Sequence, residues 1–151
     1  MTTQSIHIHG MNDETSTAHA TRFLVPLGRL LFVLIFLESV PMHFSAAGAN
    51  YAAAQGVPFA SVLVPLSGLL ALVGGLSVLL GVYARWGALL LALFLVPVTF
   101  AMHRFWMISD PAQAMLQRIM FMKNITMLGG TFLLMHFGAG PISVDQTRAR
   151  V

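Results

Sequence analysis

The sequence has no cysteine among its 151 residues. Disulfides, thiolate nucleophiles, and cysteine-ligated zinc or iron–sulfur clusters are therefore excluded, and redox chemistry would need a bound group or a partner. Charge is also scarce. Only 9% of residues are Asp, Glu, Lys or Arg, against about 25% in an ordinary soluble domain. The formal charge of +3 is carried by basic residues dispersed along the chain rather than clustered with exposed aromatics, so nucleic acid is not an expected partner. Alternating strand patterns and soluble repeats are missing as well.

What fills the chain is apolar: 57% of residues are hydrophobic and the mean hydropathy is +0.80. Long apolar stretches run over residues 24–44, 59–83, 86–106 and 112–137. Each reaches the roughly 20 residues that a helix needs to cross a hydrocarbon layer. The sequence predicts an all-α integral membrane four-helix bundle, its partner the lipid bilayer. Three regions are expected: a flexible polar leader over 1–21, a membrane domain over 22–141, and a short tail over 142–151.

A signal peptide is the competing reading of the first stretch, because Arg22 and Arg29 precede it and Ser45-Ala46-Ala47-Gly48-Ala49 resembles a cleavage site. Glu38 interrupts that run, which is also longer than the usual core of about 7–15 residues. The first helix is read as retained. Arg22, Arg29, Arg85, Arg148 and Arg150 fall on one side of a four-span arrangement, while the connector over 45–58 has no Lys or Arg. Both termini are thus expected in the cytoplasm, and the host is expected to be a bacterial plasma (inner) membrane.

Local signals mark the ends of the helices. Pro41 removes a backbone donor near the end of the first helix and predicts a kink or stop. The Ala- and Gly-rich segment 45–55 suits a short interfacial helix, and Pro58 suits the start of the second span. Gly81-Val82-Tyr83-Ala84-Arg85 allows only a tight turn, which makes helices two and three antiparallel neighbours. Asp110-Pro111 reads as an N-cap followed by proline at the first helical position. Ser67, Ala71 and Gly75 form a small-residue stripe suited to close packing within the chain.

Against this apolar background the polar residues stand out. Glu38, His43, His103 and Arg118 are expected in the outer half of the bundle and Lys123 nearer its middle, where an unpaired charge costs about 2.5 kcal/mol or more. Such a cluster suits a quinone. Its ring and tail need apolar walls, its two carbonyl oxygens need donors such as imidazole N–H, Lys or Asn, and its reduction needs a proton route. His43, His103, Lys123 and Asn124 supply the donors, Glu38 a proton relay, Trp106 and Phe121 flat surfaces, and Arg118 a further cation. A structural ion pair between Glu38 and Lys123 or Arg118 is the plainer reading of the same cluster.

Met42-His43, Met102-His103 and Met135-His136 repeat one dipeptide. Imidazole and thioether ligands suit copper, and His43 with His103 at similar depth would suit a haem. Methionine's common role as core filler competes with both readings. Neither group is expected to be intrinsic, and solvation is the simpler reading of His7, His9 and His19 in the leader.

The chain also carries Gly28-Arg29-Leu30-Leu31-Phe32, Gly56-Val57-Pro58, Gly74-Gly75-Leu76-Ser77-Val78-Leu79-Leu80-Gly81 and Phe121-Met122-Lys123-Asn124. With Gly138-Ala139-Gly140-Pro141-Ile142-Ser143-Val144-Asp145, this ordered set resembles the DoxX family of small bacterial membrane proteins over residues 22–145. The resemblance implies four membrane helices. Members of that family are linked to thiosulfate:quinone oxidoreduction and to membrane-associated oxidative-stress complexes. Where many relatives place a small residue and then a basic one, this chain reads Glu38-Ser39-Val40-Pro41-Met42-His43-Phe44. His43 takes the basic place, and Glu38 has no counterpart in the comparison.

Three functional classes follow. The first is a quinone- or quinol-binding subunit of a membrane oxidoreductase, incomplete as an enzyme without a redox protein subunit. The second is a non-catalytic accessory subunit that stabilises a larger respiratory or electron-transfer complex. A small-solute carrier is third, because four short helices leave little volume for alternating access.

Overall fold

A computed structural model describes residues 21–149. His7, His9 and His19 lie outside the described residues, as does nearly all of the leader. In chain order the helices are α1 (Leu24–His43), α2 (Ala46–Ala54), α3 (Ala60–Leu80), α4 (Ala84–Met102), a 3₁₀ turn (Phe105–Met107), α5 (Pro111–Phe137) and α6 (Val144–Arg148). The described residues contain no strand, and the fold is an all-α membrane bundle. The long helices pack in the lateral order α1, α3, α4, α5, with α2 across α3 at one end.

Helices α1 and α3, and α4 together with its 3₁₀ extension, are long and apolar enough to cross a membrane. The 27-residue α5 differs, because Gln113, Gln117, Arg118, Lys123 and Asn124 make its first half polar. The core is formed by Val33 and Phe36 from α1, Ala71 and Val78 from α3, and Ala88, Leu91, Phe94 and Leu95 from α4. Outward faces are equally apolar: Leu31 is 61% exposed and Val62 64%. A bundle that shows such faces on all sides needs lipid around it.

Backbone chemistry explains the helix boundaries. Asp110 caps α5 by accepting from Gln113 N at 2.8 Å, with Pro111 at the first helical position. Helix α3 starts at Ala60 rather than Pro58, because Phe59 takes a left-handed conformation at φ 49°. Pro41 does not stop α1 at once; the helix runs two residues further to His43. Helix α4 ends at Met102, short of 106, and passes into the 3₁₀ turn.

The small-residue stripe serves packing inside the chain: Ala71 is fully buried and Gly75 lies under Leu37. Helices α3 and α4 cross closely, and a Cβ on Gly74 would come within 2.8 Å of Gly87 O.

At the end opposite α2, the C-terminal segment folds back onto the α3/α4 turn. Asp145 accepts from Tyr83 N at 2.7 Å and Ala84 N at 2.9 Å, capping α4 from a distance of some sixty residues in sequence. Arg29 is 4% exposed and donates from Nη2 to Ile142 O at 2.6 Å. Arg148 stacks over Tyr83 at 5.0 Å. The residues from Gly138 to Asp145 therefore act as a clasp across three helices.

Candidate functional site

At the α2 end, Pro41 and the Ala-rich α2 turn the chain across the top of α3 and leave a cavity of about 390 Å³ beneath. Its walls are overwhelmingly apolar. Among its lining residues are His43, Tyr51, Ser67, Phe94, Pro97 and His103. The volume lies within the roughly 300–1,000 Å³ range of small-molecule sites. Pro65 and Pro97 sit inside the helices that wall it. Arg104 donates to Gln55 O and so ties the end of α4 to the end of α2.

His43 is seated where α3 has no side chain, since a Cβ on Gly68 would run into it. Its ring meets Phe94 edge-on at 5.5 Å. Its Nδ1 lies 2.8 Å from Ser39 O. A carbonyl oxygen only accepts, so Nδ1 carries the proton and Nε2 of the neutral ring keeps a lone pair. His103 closes α4, and its Nδ1 lies 2.8 Å from Gln117 Oε1. With the Gln117 amide presenting its Oε1, His103 Nδ1 is the donor and its Nε2 is left as an acceptor. The hydroxyl of Ser67 is already directed to Val64 O at 2.7 Å. The cavity thus has apolar walls and two imidazoles whose free nitrogens accept protons or hydrogen bonds, where the sequence predicts N–H donors, because each Nδ1–H is spent on an oxygen within the bundle.

Of the candidate site residues read from sequence, His43 and His103 share this cavity, together with Met42 and Met102 of their dipeptides, while Glu38, Trp106, Arg118, Phe121, Lys123 and Asn124 are not in its lining. Trp106 and Phe121 join Phe100 and Phe105 in an edge-to-face aromatic cluster beside α5, Trp106 and Phe121 having centroids 5.8 Å apart. Arg118 and Lys123 are exposed, and Lys123 Nζ reaches Met120 Sδ at 3.5 Å. Glu38 is exposed on α1 with no partner among the described residues. It follows Leu31 and Leu34 on one outward stripe, so the expected ion pair with Lys123 is not formed. Asn124 is 5% exposed, and no partner for its amide occurs among the described residues.

Sequence reasoning passed over Tyr51 and Gln117, and read Ser67 only as part of the packing stripe. Gln117 had a signal available, since it lies seven residues before Asn124 and therefore on the same face of α5. Among the described residues, no group of three or more His, Asp or Glu side chains converges as a metal site.

The sequence matches the DoxX family over residues 24–104. That span contains His43 and His103 and ends before Arg118, Phe121, Lys123 and Asn124. The chain is also 38% identical over 124 residues to the inner membrane protein YqjF of Escherichia coli (strain K12), covering 81% of this chain and 89% of that protein. No solved structure matches.

Proposed function

The chain belongs to the DoxX family and is a bacterial inner membrane protein, and from that premise we propose that it is a membrane-embedded redox-complex subunit that holds a quinone or hydroquinone head group beneath α2. The observation that carries this reading is the apolar cavity of about 390 Å³ with His43 and His103 in its lining. A six-membered ring with a short length of isoprenoid tail suits that volume and those walls. Two imidazole acceptors suit the two hydroxyls of the reduced ring.

Oxidation of a hydroquinone releases two electrons and two protons. In this reading the imidazoles take up the protons, and the electrons pass to a redox centre on another subunit. Glu38, Lys123, Arg118 and Asn124 stand outside the cavity lining and are not needed for contact with the ring.

Gentle purification of the full chain into lipid nanodiscs, followed by solvent extraction, tests the proposal. We expect quinone in near-stoichiometric amount and well above its share of the bulk lipid. Extracts with quinone only at the bulk-lipid level, alongside stoichiometric protein partners, would favour the accessory-subunit reading instead.

The proposal places the α2 end outside and both termini in the cytoplasm. Its support is the arginine distribution: Arg22, Arg29, Arg85 and Arg148 gather at the opposite end of the helices, against Arg104 and Arg118 toward the α2 end. Single cysteines introduced at Asn50 and Ser109 should react with an impermeant maleimide in intact cells, and one at Arg85 should not. The reverse pattern would invert the orientation.

A further inference from the structure

Glu38 and Lys123 are both exposed, and the large residues around them are apolar: Leu34 is 49% exposed, Ile119 53% and Met122 53%. These faces meet lipid, where an unpaired charge is unfavourable. Neither charge is answered by an ion pair in the chain. Among the described residues Glu38 has no partner, and Lys123 reaches only the Met120 sulfur.

The depth of the two residues follows from the contact that registers α1 against α5. The Phe32 ring lies over Gly130, with Phe32 Cε2 2.7 Å from where a Cβ on that glycine would be. Counting toward the α2 end, Glu38 is six residues beyond Phe32 and Lys123 seven beyond Gly130. At about 1.5 Å of rise per residue, they stand roughly 9 and 10.5 Å above the contact, at nearly one depth. Arg118 lies five residues further along α5, about 7.5 Å away in depth, and is out of register with Glu38. Lys123 is on the flank of α5 that carries Gly130, toward α1, and Glu38 is on the lipid-facing side of α1.

A two-fold axis along the membrane normal preserves depth and brings residue i of one copy to residue j of the other, and the reverse. One acid and one base at equal depth on a single lateral face are complementary to themselves under that operation. We propose that a second copy of this chain docks on the α1/α5 face, with Glu38 of each copy meeting Lys123 of the other. Each pairing removes one negative and one positive charge from lipid, and the flanking Leu, Ile and Met side chains supply the surrounding contact.

The test is charge reversal in two differently tagged full-length copies, expressed together and recovered in native lipid. Wild-type copies should co-purify. E38K alone and K123E alone should each lose that association by about tenfold or more, because each presents like charges at both contacts. Expressing E38K with K123E should restore it, since every contact between those two chains is again between opposite charges. Wild-type copies that never associate, single variants that pair as well as wild type, or folded variants whose mixture does not recover would each overturn the proposal. Recovery only when both reversals are in one chain would assign the pair to a single copy and also overturn it. Where reversal prevents insertion, E38C in one copy and K123C in the other give the second test. An inter-copy cross-link by a bismaleimide spanning about 10 Å is expected, because a Glu–Lys pair spans more than the roughly 7 Å between Cα atoms that a disulfide allows, and its absence contradicts the interface.

Discussion

Asp145→Ala is expected to lower the stability of the folded chain by about 3 kcal/mol, as read by thermal or denaturant unfolding in nanodiscs. The carboxylate accepts two backbone N–H groups at the start of α4, at 2.7 and 2.9 Å, where the helix dipole also favours negative charge. Loss of an N-cap alone costs about 1–2 kcal/mol. The rest comes from Arg29, a 4% exposed cation whose Nε and Nη1 have no hydrogen-bond partner and whose nearby countercharge is Asp145. Removing one member of such an arrangement strands the other. Asp145→Asn, which keeps one acceptor but no charge, should fall between Ala and wild type. An Asp145→Ala chain that unfolds with wild-type stability would remove the clasp from the account.

His43→Leu combined with His103→Leu is expected to weaken binding of a short-chain hydroquinone by about 2 kcal/mol, or roughly 30-fold. Each imidazole presents one acceptor, and the two side chains contribute little else that leucine would not replace in an apolar wall. His43→Gln should keep part of the affinity, because its amide oxygen also accepts. The bundle should survive these changes. Both rings line the cavity, and of the core cluster only Phe94 meets one of them, so Val33, Phe36, Ala71, Val78 and Leu91 still hold the helices together.

The helices were legible because long apolar runs and capping residues are local signals. Asp110-Pro111, Gly138 and the tight turn at Gly81 do what their residue types dictate. The direction each helix faces was much less legible. In water an amphipathic pattern points a helix at its core, but lipid is as apolar as a core, and α1 and α3 are apolar on every side. Nothing in the pattern therefore turned Glu38 toward lipid or Asn124 inward.

The cavity was legible only in part for a related reason. His43 and His103 stood out as polar residues near helix ends, but the roof depends on α2 folding across α3 and on Arg104 reaching Gln55 O. These contacts link residues far apart in sequence. The clasp of Asp145 on α4 is of the same kind, and a short polar tail gave no sign of it.

The most direct test of the central claim is equilibrium titration of the full chain in nanodiscs with a short-chain hydroquinone and its oxidised form, beside the His43→Leu/His103→Leu variant. The account predicts saturable binding of the hydroquinone to wild type, and weakening by roughly 30-fold in the variant. Folded wild-type protein that binds neither form, or a variant that binds both as wild type does, would contradict it.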